Sequence, residues 1–118
     1  MTIDVARLDG VTVITPRSER IDFESAPELR GALLDAIEKG THNLVVDLGC
    51  VGFIDSSGLG AFVSAFKALK TRNGGGDLRL ANLQPPVVEL LEIIRLNRVF
   101  LTYPSVDAAA DSFLATRH

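Results

Sequence analysis

The residues best equipped for chemistry stand together in the segment Ile54-Asp55-Ser56-Ser57-Gly58-Leu59-Gly60. A carboxylate, two hydroxyls and two glycines fall between an apolar run and a stretch of apolar residues at helical spacing. Ser56 and Ser57 sit where a hydroxyl can cap the free N–H groups of a helix's first turn. A serine can also act as a nucleophile, provided a base activates it. It can equally accept a phosphoryl group, which here would lie beside free amides and the positive end of a helix dipole. Such a phosphate adds about −1.5 to −2 charges to a surface that already carries Asp55, which is how a binding surface is switched off. Glycine costs about 1 kcal/mol relative to Ala inside a helix. Two of them in one first turn suggest that something approaches the backbone there.

The competing chemistries lack parts. A nucleophile elbow needs Gly two residues before the serine, and position 54 is Ile54. The only histidines are His42, ahead of an apolar run, and the terminal His118, both read as surface residues. Gly58-x-Gly60-x-x-Val63 lacks the third glycine of a dinucleotide fingerprint, and no phosphate-binding Gly-x-x-x-x-Gly-Lys loop occurs. Asp22 and Asp55 are two carboxylates without further candidate ligands, so no metal is expected. A phospho-aspartate receiver would need paired acids after its first strand, and none are present. With a net charge of −3 and scattered basic residues, nucleic acid is not an expected partner. These exclusions leave a binding module that needs no cofactor.

The elements that must position the loop can be read along the chain. Its 118 residues suit one domain, and 47% apolar with 23% charged residues is ordinary globular composition. No run approaches the ~20 apolar residues that span a bilayer, no signal pattern opens the chain, and Cys50 is alone. A cytoplasmic protein without membrane insertion is expected. Alternating apolar residues flank Asp9-Gly10, which predicts a hairpin with a primed turn. Pro16 to Arg20 reads as a polar connection. Ser25-Ala26-Pro27-Glu28 reads as a capping box opening a helix through Leu29, Leu33, Ala36 and Ile37, stopped by Gly40. Leu44 to Leu48 reads as a buried strand. Leu59, Phe62, Val63, Phe66 and Leu69 then form one helical stripe to about Arg72, ended by Gly74-Gly75-Gly76. Leu78 to Ala81 reads as a strand, and Pro85-Pro86 opens a helix through Ile94, read as packed on the sheet. Val99 to Leu101 is weakly strand-like, and Ser105 caps a last helix. The order β-β-α-β-α-β-α-β-α implies a largely parallel α/β sheet begun by an antiparallel hairpin.

The string Val46-Asp47-Leu48, then Phe53-Ile54-Asp55-Ser56-Ser57-Gly58-Leu59-Gly60, closely resembles the signature of bacterial anti-sigma factor antagonists in the STAS family (sulfate transporter and anti-sigma factor antagonist). Arg20-Ile21-Asp22 with Ser25-Ala26-Pro27, and Gly74 to Leu80, extend the resemblance over nearly the whole chain. It implies one STAS domain over residues 1–118, with a mixed sheet and helices packed mainly on one face. It also implies that Ser56 is phosphorylated by a partner that is both serine kinase and anti-sigma factor, and that a serine phosphatase resets it. Asp22, Asp55, Ser57, Gly58, Leu59 and Gly60 are the partner-binding residues by the same match. Many members carry Gly three residues before the first Asp, where this chain has Glu19. STAS-like scaffolds of stress-sensing complexes and transporter subunits are the alternative within the fold.

Overall fold

The computed structural model describes residues 1–72 and 75–115. Strands β1 (Thr2–Leu8) and β2 (Val11–Arg17) form the expected hairpin. Asp9 and Gly10 both take positive φ, 50° and 81°, as a primed two-residue turn requires. Helix α1 (Ala26–Glu38) leads to β4 (Asn43–Asp47), α2 (Ser56–Thr71) to β6 (Asp77–Ala81), and α3 (Pro85–Ile93) to β7 (Thr102–Tyr103). Helix α4 (Val106–Ala115) is the last of the described elements. The main sheet has the order β1-β2-β4-β6-β7, antiparallel at β1–β2 and parallel thereafter.

The sheet is covered on both faces, and this explains why Leu44, Val45 and Val46 are all fully buried. Leu44 and Val46 belong to the main core with Leu29, Leu33, Phe62 and Leu69 of α1 and α2. Val45 points the other way, into a smaller core with Val11, Val13, Ala109 and Phe113. Among the described residues three helices therefore lie on one face and α4 lies on the other. Buried Arg79 anchors α4: its guanidinium bonds Asp77 at 2.9 Å and Ser112 at 2.6 Å and lies 4.0 Å from the Phe113 ring centroid.

Several expectations need correction. Pro16 to Arg20 is not one polar connection, because β2 runs to Arg17 and Arg20–Ile21 forms a further short strand, β3. The capping box at Ser25 does not form. Ser25 has αR backbone angles and its hydroxyl accepts from the Asp22 N–H instead of from α1. Val99 to Leu101 is not a strand. A single 3₁₀ turn, Leu96–Arg98, aims Phe100 into the core edge-on to Phe62 and Phe66, and pairing begins only at Thr102. Helix α3 packs on the core as expected, through Val87 and Leu91 with Leu90 beside them, but its last residue Ile93 is 69% exposed. Arg72 caps α2, and in the glycine run Gly75 takes φ +71° while Gly74, like His118, lies outside the described residues. His42 is exposed, as expected, with Nδ1 2.7 Å from the Gly75 carbonyl oxygen.

Candidate functional site

Outside the main sheet, β3 (Arg20–Ile21) pairs in parallel with β5 (Phe53–Ile54). Arg20 stands beside Phe53 and Ile21 beside Ile54. The Glu19 carbonyl accepts from Gly52 N–H at 2.8 Å and Phe53 N–H at 3.1 Å, and the Ile21 carbonyl accepts from Asp55 N–H at 3.1 Å. Glu19 thus holds β5 through its backbone, with its side chain exposed. This small ladder brings together the loops that open α1 and α2, so Asp22 and Asp55 leave neighbouring strands side by side.

Both carboxylates do the same local work. Asp55 Oδ1 accepts from Ser57 N–H at 2.8 Å and Gly58 N–H at 3.1 Å, so Asp55 is the N-cap of α2. Asp22 Oδ1 accepts from Glu24 N–H at 3.1 Å and Ser25 N–H at 3.3 Å, ahead of α1. Each negative charge lies at the positive end of a helix dipole. The expectation that Ser56 or Ser57 would cap α2 is therefore wrong. A carboxylate one residue earlier reaches the same amides with a charge-assisted bond.

Ser56 and Ser57, relieved of capping, are exposed as the first two residues of α2. With two first-turn amides already committed to Asp55, a phosphate on Ser56 would not enter an empty amide nest.

The two glycines differ. A Cβ at Gly58 would lie 2.6 Å from Ile54 Cγ2, 2.8 Å from Ile21 Cγ2 and 3.1 Å from the Ile21 carbonyl oxygen. Gly58 is needed because α2 starts directly on the β3–β5 ladder, and no outside molecule has to be invoked. Gly60 is exposed and a Cβ there would meet nothing within 4 Å. Of these two glycines, Gly60 is the one whose backbone is open to an approaching surface. Leu59 is buried in the main core, so its side chain holds the helix down instead of facing outward.

The structure also adds residues that the sequence reading passed over. Phe23, 70% exposed, lines a cleft of about 290 Å³ between α1 and α2 with Pro27, Arg30, Ser57, Gly60 and Ser64. Phe53, 41% exposed, carries the Arg20 guanidinium 4.2 Å from its ring centroid. An exposed Phe directly after Asp22, off any helical or strand period, was the available signal for the first. Among the described residues no group of three His, Cys, Asp or Glu is placed to hold a metal ion, and no helix is long and apolar enough to cross a membrane.

Comparison with known proteins agrees with this arrangement. The family model for the STAS domain matches residues 2–109. The anti-sigma-B factor antagonist of Bacillus subtilis is 40% identical over 79 residues, covering 67% of this chain and 70% of that protein. The crystal structure of an anti-sigma factor antagonist from Mycobacterium paratuberculosis superposes with a TM-score of 0.82 at 26% identity, covering 94% of this chain and 92% of that one. The antagonist SpoIIAA shares the fold in its unphosphorylated form, with a TM-score of 0.72 at 16% identity over 98% of this chain and 99% of that one. Its phosphorylated form gives 0.70 at 18% identity over 95% and 99%. A mixed sheet with a capped Asp-Ser-Ser-Gly turn, matched by one family model over residues 2–109, places this chain in the STAS domain family, with similarity to the antagonists above.

Proposed function

We propose that this protein is a partner-switching antagonist. In its unphosphorylated form it captures an anti-sigma factor through the exposed start of α2 and the adjoining cleft. Phosphorylation of Ser56 by that same partner, acting as a serine kinase, breaks the complex, and a serine phosphatase restores it. The protein itself performs no catalysis.

The observation that carries this reading is the division of labour at the turn. Asp55 alone caps α2, so the Ser56 hydroxyl is exposed and has no duty in holding the fold. A serine free of structural work can be modified without unfolding the domain. The added dianion would then act on the partner through charge repulsion and desolvation. Fold neighbours exist in both phosphorylated and unphosphorylated states, in keeping with a fold that tolerates the modification.

Titration calorimetry against the cognate kinase-like anti-sigma factor tests the charge mechanism. Ser56→Ala should bind within about threefold of wild type, whereas Ser56→Asp should lose at least about tenfold, or about 1.4 kcal/mol. Equal affinity for Ser56→Asp and wild type would count against repulsion as the means of release.

A further inference from the structure

Strand β1 is the outer strand of the main sheet, and no strand among the described residues pairs with its free side. Leu8 and Val11 close the two-residue turn, so they form the first hydrogen-bonded pair of the hairpin. Bonded and non-bonded pairs then alternate. Thr2, Asp4, Ala6 and Leu8 direct their backbone groups at β2, while Ile3, Val5 and Arg7 direct theirs outward.

Of the usual protections of an edge, this strand has its charged residues, Asp4 and Arg7, and lacks the others. Its seven residues pair with β2 in unbroken register, without a bulge, and include neither Pro nor Lys. Val5 is 59% exposed, and the single carboxylate, Asp4, is already bound by Arg17 Nε at 2.7 Å. Val5 and Arg7 look onto a cleft shared with Ala36 and Lys39 of α1.

We propose that β1 pairs with β1 of a second copy of this chain, antiparallel about a two-fold axis through Val5, joining two five-stranded sheets into one. Such an axis stands perpendicular to the sheet and keeps like faces together, which restricts the register to steps of two residues. With Val5 opposite Val5, Ile3 meets Arg7 and Arg7 meets Ile3. All three outward positions are then used, giving about six hydrogen bonds at two per bonded pair. A slip of one step toward the N-terminus sets Asp4 against Asp4, like charges directly opposite. A slip the other way opposes Ile3 to the turn residue Asp9. The central register also brings Arg7 of the second copy to the side of the sheet where Ile3 packs and where exposed Glu28 lies near the chain start, 3.4 Å from the Met1 nitrogen. Because β1 supplies no residue to the start of α2 or its cleft, this pairing stands independently of antagonist activity.

Sedimentation equilibrium over about 10 to 500 μM should show a monomer–dimer exchange, in keeping with a small contact. Val5→Pro removes one outward N–H without touching the hairpin's own bonds, a position where edge strands tolerate proline. Val5→Lys sets two like charges at the axis. Both variants should keep the wild-type circular dichroism spectrum and dimerise at least about tenfold more weakly. In a Cys50→Ser background, Val5→Cys should oxidise to a covalent dimer, since a bonded antiparallel pair holds its Cα atoms about 5.5 Å apart. A wild type that stays monomeric throughout, or a dimer that survives both Val5→Pro and Val5→Lys, overturns the proposal.

Discussion

Replacing Gly58 and Gly60 separately by Ala should move stability in opposite directions, although the two lie two residues apart in one helix. On propensity alone each change should stabilise α2 by about 1 kcal/mol. At Gly60 nothing opposes that gain, since a Cβ there meets no atom within 4 Å. At Gly58 the new methyl falls 2.6 Å and 2.8 Å from the Cγ2 atoms of Ile54 and Ile21, both buried. β-Branched side chains are stiff at χ1 and cannot swing clear, and the Ile21 carbonyl at 3.1 Å closes the third side. Overpacking of this kind costs about 1–3 kcal/mol, and relief requires α2 to lift from the β3–β5 ladder that positions Asp55. The net expectation is a loss of about 1 kcal/mol, and up to about 2, for Gly58→Ala and a gain of about 1 kcal/mol for Gly60→Ala. Urea unfolding would read both as shifts in midpoint at constant slope. A Gly58→Ala protein as stable as wild type would refute the argument that this glycine exists for internal packing.

Other perturbations have equally definite outcomes. Asp55→Ala should cost about 1 kcal/mol in urea unfolding through loss of the α2 cap. Amide exchange in that variant should quicken first at Ser57 and Gly58, and unchanged exchange there would remove Asp55 from the capping role. Arg79→Ala should loosen α4 without melting the main core, because Arg79 bridges Asp77, Ser112 and the Phe113 ring. Faster hydrogen exchange confined to α4, with a stability loss of about 1.5–3 kcal/mol, is the expected readout for losing the charged hydrogen bonds that hold α4, with Asp77 keeping Lys70 at 3.4 Å.

Much of this architecture is legible in the residues because local and tertiary preferences agree. Asp9-Gly10 between alternating apolar strands admits one turn family, and the Leu59–Leu69 stripe meets a sheet where its spacing requires. Reading failed where a short-range rule met a stronger neighbour. Ser25 looks like an N-cap by type and spacing, yet Asp22 three residues earlier takes the amides ahead of α1. At Asp55 a carboxylate takes the first-turn amides of α2 that Ser56 or Ser57 is placed to cap, which frees Ser56. Strands β3 and β5 are two residues each, too short for any alternation to show. Their pairing nevertheless joins Asp22 to Asp55, a relation between positions more than thirty residues apart that no local pattern encodes. Phe100 sat in a β-branched context, and only its burial between Phe62 and Phe66 explains why the chain turns there instead of extending.

The claim on which the functional account rests is that Ser56 accepts one phosphate. Intact mass after incubation with ATP and the cognate kinase-like anti-sigma factor measures this directly, with wild type and Ser56→Ala side by side. One phosphate on wild type and none on Ser56→Ala is the predicted result. A stable complex in which neither protein gains mass, or equal phosphorylation of both, would contradict the switch at Ser56.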